Sequence, residues 1–78
     1  MPTIPSPLPG TFYIRPDPGS GPFKKPGDAV ATGDTIGLVE VMKTFIEIKS
    51  EIAGTFAGYS TEDAAPVTAG QDLAELSD

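Results

Sequence analysis

Apolar positions are densest in the middle of the chain, where Ile36, Leu38, Val39 and Val41 are followed, after a short break, by Phe45, Ile46, Ile48 and Ile52. These β-branched and aromatic choices suit a pleated surface. Gly33, Gly37, Gly54 and Gly58 fall too close together for a stable helix. The pattern predicts two long strands, one rising through Ile36 to Val41 and one returning through Thr44 to Ser50, joined near Lys43. No segment has the periodicity of an amphipathic helix of useful length, and residues 60–65 read as a connecting turn. The fold class is all-β.

Proline divides the rest. Eight of the nine prolines lie within residues 1–26, and the ninth is Pro66. Each removes a ladder donor and fixes φ, so residues 27–65 are expected to supply the continuous interior strands.

An internal repeat organises the whole chain. Gly10-Thr11-Phe12 recurs as Gly54-Thr55-Phe56 at an offset of 44, while Val30, Gly33 and Ile36 recur as Val67, Gly70 and Leu73 at an offset of 37. The first half therefore carries seven extra residues between Phe12 and Val30. The run from Pro16 to Pro22, rich in proline and glycine, suits a protruding loop there. Two halves that form similar antiparallel sheets must turn over at their junction, which places Lys43 at an exposed hairpin tip. Paired repeat positions should share the interior, giving Phe12, Val30, Ile36, Ile48, Ile52, Phe56, Val67 and Leu73 as the expected core.

With 78 residues the chain makes one domain, residues 1–78, and a domain this small buries only roughly 60% of its unfolded surface. There is no cysteine and no histidine. That removes disulfides, thiol nucleophiles, imidazole bases and Cys/His metal sites, and with them most routes to independent catalysis. Eleven acidic against five basic residues, net −6, argue against a nucleic-acid or anionic-membrane partner. No apolar run approaches a membrane span, the Pro-rich start lacks a charged region followed by an apolar one, and the expected setting is cytoplasmic. The acidic surface leads us to expect a monomer in isolation.

Lysine is the remaining chemistry. Lys43 follows Met42 within Val39-Glu40-Val41-Met42-Lys43-Thr44-Phe45. From this segment alone, an ordinary solvated hairpin lysine and an amine that is used are equal readings. Lys24 and Lys25, between Pro22 and Pro26, and Lys49, within a strand, are expected to be ordinary solvated lysines.

From about Thr3 to Leu76 the sequence resembles the biotinyl domain of biotin carboxyl carrier proteins, the acetyl-CoA carboxylase type in particular. The resemblance is carried by Ser6-Pro7-Leu8-Pro9-Gly10-Thr11-Phe12-Tyr13, Gly33-Asp34-Thr35-Ile36, Val39-Glu40-Val41-Met42-Lys43 and the second Gly-Thr-Phe turn. It implies a flattened barrel of two four-stranded antiparallel sheets with quasi-two-fold symmetry, and likens residues 15–23 to the family's thumb. It also implies that Lys43 carries biotin as an amide, with Glu40, Met42 and Thr44 as flanking recognition residues. The implied partners are biotin protein ligase, which loads Lys43, and the biotin carboxylase and carboxyltransferase between which carboxybiotin is shuttled. The domain itself would be a non-catalytic carrier, most simply in fatty acid synthesis.

Two positions depart from the usual Ala-Met-Lys-Met pattern, Val41 and Thr44, and both fit a strand end. A lipoyl carrier is the alternative of the same fold, disfavoured because that family has Asp where this chain has Met42. An unmodified interaction module is the third reading. The acyl acceptor, and whether the domain is free-standing or excised, are not encoded in these residues.

Overall fold

The two apolar runs flanking Lys43 pair with each other as β4 (Thr35–Val41) and β5 (Thr44–Lys49), from Thr35 opposite Lys49 to Val41 opposite Thr44. A computed structural model describes residues 2–17 and 19–77 and surrounds this hairpin with further short strands. They are β1 (Thr3–Pro5), β2 (Gly10–Tyr13), β3 (Ala29–Val30), β6 (Gly54–Tyr59), β7 (Ala65–Val67) and β8 (Asp72–Ser77). The strands form two four-stranded antiparallel sheets, ordered β5-β4-β2-β7 and β1-β8-β6-β3. Among the described residues no helix is long and apolar enough to cross a membrane.

The repeat maps β1 to β4 onto β5 to β8, strand for strand, and the sheet orders are the same under that mapping. One expectation is corrected: neither half forms a sheet of its own. Each sheet takes two strands from each half, because four short strands cannot cover their own apolar face and the other half must supply the facing layer. The interlock is visible at two matching turns. Gly33 N–H donates to Ser50 O at 2.7 Å and Ser50 N–H to Asp34 O at 2.9 Å, while Gly70 N–H donates to Ser6 O at 2.7 Å and Ser6 N–H to Gln71 O at 2.8 Å. Both glycines hold left-handed φ, 94° and 87°. Ser6 and Ser50 are buried, and each hydroxyl donates to the carbonyl two residues on, Leu8 and Ile52, at 2.6 Å.

Phe12, Val30, Ile36, Ile48, Phe56, Val67 and Leu73 are buried as expected. Ile52 is not. It is 36% exposed, because the bend after Ser50 carries it out of the strand ladder, as its repeat mate Leu8 is carried to the rim. Ile4, Val39, Ala74 and Leu76 complete the core. The same offsets pair Ile4 with Ile48, Val39 with Leu76 and Ala74 with Gly37, so the repeat extended along the strands contains them.

Two further readings change. Pro5 and Pro66 do sit on edge strands, β1 and β7, where a missing donor is harmless. Residues 27–65 nevertheless supply only two of the four interior strands, β4 and β6: β3 and β5 lie within that span and are edges, whereas β2 and β8 lie outside it and are interior. Pairing between halves, rather than freedom from proline, sets the order. The two Gly-Thr-Phe segments are also strand starts rather than turns. A Cβ on Gly10 would lie 2.6 Å from Glu40 O and from Val39 Cγ1, so glycine is required there for β2 to pass β4.

Candidate functional site

Val41 opposite Thr44 leaves two residues, Met42 and Lys43, to reverse the chain. Both have positive φ, 49° and 66°, as a type I′ hairpin turn demands. The right-handed twist of β4 and β5 is matched by this turn and would be splayed by its mirror image. Lys43 is exposed at the tip, as expected, and no ion pair engages its amine among the described residues. Met42 is 93% exposed.

The flanking residues diverge. Thr44 is exposed; Val41 is half-buried and packs against the core, so the two departures from the usual pattern face opposite environments. Glu40 lies on the outer face of β4, opposite Phe45 on β5 and Thr11 on β2. There it accepts a hydrogen bond from Tyr13 Oη at 3.2 Å. The Tyr13 ring lies against Phe45, with centroids 5.9 Å apart and planes tilted by 50°. Desolvation, followed by the Glu40 hydrogen bond, pushes the Tyr13 phenol above its ordinary value. Sequence reasoning missed both Tyr13 and Phe45, which is 58% exposed. The available signal was register: alternation along β2, β4 and β5 puts Tyr13, Glu40 and Phe45 on one face.

Beside this face, residues 15–17 and 19–23 of the expected loop form no strand, with Pro18 outside the described residues. Phe23 N–H closes its base on Ile14 O at 2.9 Å, and Asp17 accepts from Gly19 N–H and Ser20 Oγ, both at 3.0 Å. Arg15 pairs with Asp63 at 3.6 Å, and Asp63 also accepts from Ile14 N–H at 2.8 Å. Between loop and sheet runs an open groove of about 420 Å³. Tyr13, Leu38 and Phe45 line its floor, with Arg15, Asp17 and Asp63 among its walls.

The other lysines separate from Lys43 by place. Lys25 and Lys49 are exposed, Lys49 as the last residue of β5. Lys24 is not merely solvated: its Nζ donates to Ala29 O at 3.0 Å and to Asp34 Oδ2 at 3.2 Å, which ties the loop to the turn before β4.

A two-sheet β fold that holds one lysine out on a two-residue hairpin is the architecture of the biotin/lipoyl attachment class. The chain belongs to the biotin-requiring enzyme family, whose profile matches residues 2–76. It is 46% identical over 68 residues to the chloroplastic biotin carboxyl carrier protein of acetyl-CoA carboxylase 1 of Arabidopsis thaliana, covering 87% of this chain and 24% of that protein. It is 41% identical over 70 residues to the biotin carboxyl carrier protein of acetyl-CoA carboxylase of Chlamydia muridarum, covering 90% of this chain and 43% of that protein. The corresponding protein of a Nostoc strain is 33% identical over 73 residues, covering 94% of this chain and 40% of that protein. The chain thus spans less than half the length of these curated relatives.

Proposed function

We propose that this chain is a biotin carboxyl carrier domain in which Lys43 is the biotinylated residue. The observation that carries the proposal is the placement of Lys43 at the apex of the β4–β5 hairpin, exposed and outside any ion pair among the described residues. The names of the relatives favour biotin over lipoate and an acetyl-CoA carboxylase as the setting. In the loading step the amine attacks the acyl carbon of a biotin–AMP mixed anhydride. A C–N bond forms, the acyl–phosphate bond breaks, AMP departs, and the amine gives up its proton.

Once attached, biotin would supply the ring nitrogen that carries a carboxyl group. The protein's own residues supply the rest. The rigid hairpin keeps the lysine stem clear of the sheet, and Met42 offers an adaptable apolar contact to successive partners. The groove over Tyr13, Leu38 and Phe45 gives an apolar floor beside the attachment point. Partners in this proposal are biotin protein ligase, a biotin carboxylase and a carboxyltransferase, and tethering raises the effective concentration at each. The domain carries no catalytic role of its own. Its setting is the cytoplasm, or the chloroplast as for the Arabidopsis relative.

Intact mass after incubation with biotin protein ligase, ATP and biotin tests the proposal. Wild type should gain one biotin, and Lys43→Arg none, because a guanidinium stays protonated and is a poor nucleophile. Labelling that persists in Lys43→Arg, or a wild type that accepts lipoate and refuses biotin, would overturn it.

A further inference from the structure

Glu40 stands three residues before Lys43 on the solvent side of β4. A glutamate in that position ordinarily samples several rotamers, and ordering it on contact with a partner costs free energy. Here the cost is met in the folded domain. Tyr13, the diagonal neighbour on β2, donates its hydroxyl to Glu40 Oε1 at 3.2 Å. The Tyr13 ring is itself steadied by Phe45, which sits directly opposite Glu40 on β5.

The repeat supplies an internal control for what this arrangement is for. Devices that the fold needs occur in both halves: Gly10 and Gly54 at the close strand approaches, Ser6 and Ser50 in the buried bends, Gly33 and Gly70 in the turns they hold. By the same offsets Tyr13 maps onto Ala57 and Glu40 onto Ser77. Alanine has no side-chain donor, so the second half makes no such bond; β6 pairs with β8 as β2 does with β4 at Thr55 and Phe56, and departs from it at Ala57, where the register shifts between Phe56 and Gly58. Antiparallel pairing of these strands therefore goes on without the tether, and the second corner uses a different bond, Ser77 Oγ to Thr55 O at 3.4 Å. The tether occurs in the half whose hairpin ends in Lys43.

We infer that Tyr13 is a positioning residue for the modification of Lys43: its hydroxyl fixes the Glu40 carboxylate on the outer face of the sheet, where the ligase reads it with a cationic or N–H donor group. A preset carboxylate forms a charge-assisted hydrogen bond without paying to order the side chain, which tightens recognition of the domain and leaves the acyl transfer itself unchanged. The inference rests on the reading of Lys43 as the ligase's target.

Steady-state biotinylation of the full chain by biotin protein ligase separates the two. Tyr13→Phe keeps the ring against Phe45 and removes only the hydroxyl. It should raise KM for the domain about fivefold or more while kcat stays within about twofold, since one prepaid hydrogen bond to a charged group is lost. Glu40→Gln should raise KM at least as much, since it also removes the charge the ligase reads, and adding Tyr13→Phe to it should raise KM no further, because Tyr13 acts only through Glu40. Glu47→Gln, which removes a carboxylate from the same face two residues beyond Phe45, should leave KM unchanged and so exclude a simple effect of net charge. A wild-type KM in Tyr13→Phe or Glu40→Gln, effects that multiply in the double variant, or an equal loss in Glu47→Gln would overturn the inference while wild-type labelling still upholds Lys43. A wild type that never labels removes both.

Discussion

Met42 and Lys43 hold φ of 49° and 66°, a region in which a side chain costs about 1–2 kcal/mol per residue and which Asn-Gly would occupy at little cost. The β4–β5 register leaves only two residues for the reversal, so the sheet imposes the conformation on whatever stands there. Ala64 is a second such position, with φ 62°. Its repeat mate is Gly27, φ 97°, and the two N–H groups donate to equivalent carbonyls, Phe12 O at 2.7 Å and Phe56 O at 2.8 Å. One half satisfies the turn with glycine and the other with a strained alanine. Met42→Asn and Ala64→Gly should each raise stability, by up to about 1 kcal/mol, with the midpoint of a urea melt as the measure. Midpoints at or below that of wild type would show that these turns are not strained.

Among the connecting elements, the turn entering β4 is built around Asp34. Its Oδ2 accepts from Ala31 N–H at 2.9 Å and from Lys24 Nζ at 3.2 Å. The backbone donor first, and the lysine after it, hold the Asp34 carboxyl below the ordinary carboxylate range. A carboxyl depressed in the folded state contributes stability in full above its unfolded pKa, near about 4, and loses it as pH falls through the lower folded value. The matching turn before β8 uses Gln71, whose Oε1 accepts from Thr68 N–H at 3.1 Å without a charge, so that turn does not sense acid. Urea midpoints followed downward from neutral pH should therefore fall less steeply for Asp34→Asn than for wild type once pH drops below about 4. Parallel acid limbs would remove Asp34 from the account.

Over the whole molecule, Phe12 and Phe56 fill the same site in the two halves, and both pack against Tyr59, with ring centroids 6.0 and 4.7 Å away. Tyr59 donates its hydroxyl to Ile36 O at 2.7 Å, and burial pushes its phenol up to about 12. Gly37 is what lets Phe12 in: a Cβ there would lie 2.5 Å from the ring. Phe12→Ala or Phe56→Ala should each cost about 3–5 kcal/mol, a large part of the total of about 5–15 kcal/mol available to a domain. Because each sheet draws strands from both halves, the loss should be global. Far-ultraviolet dichroism and tyrosine fluorescence should report a single coincident transition in both variants. Two separated transitions would mean the halves unfold independently.

Composition and spacing were enough to determine the strand class, the repeat, the place of Lys43 at its junction and most of the core, because alternation and a two-fold repeat are linear properties of the chain. The offset of 37 already contained Val39 and Leu76, although only the structure made the pairing plain. Interleaving of the halves, the outward swing of Ile52, the edge positions of β3 and β5 and the pairing of Lys24 with Asp34 were decided by tertiary structure. So was the alignment of Tyr13, Glu40 and Phe45, residues up to 32 positions apart that become neighbours only through the registers of β2, β4 and β5. A sequence records which residues want to be buried and where the chain can turn. Which strands then lie side by side depends on covering every apolar face at once, and no single segment contains that condition.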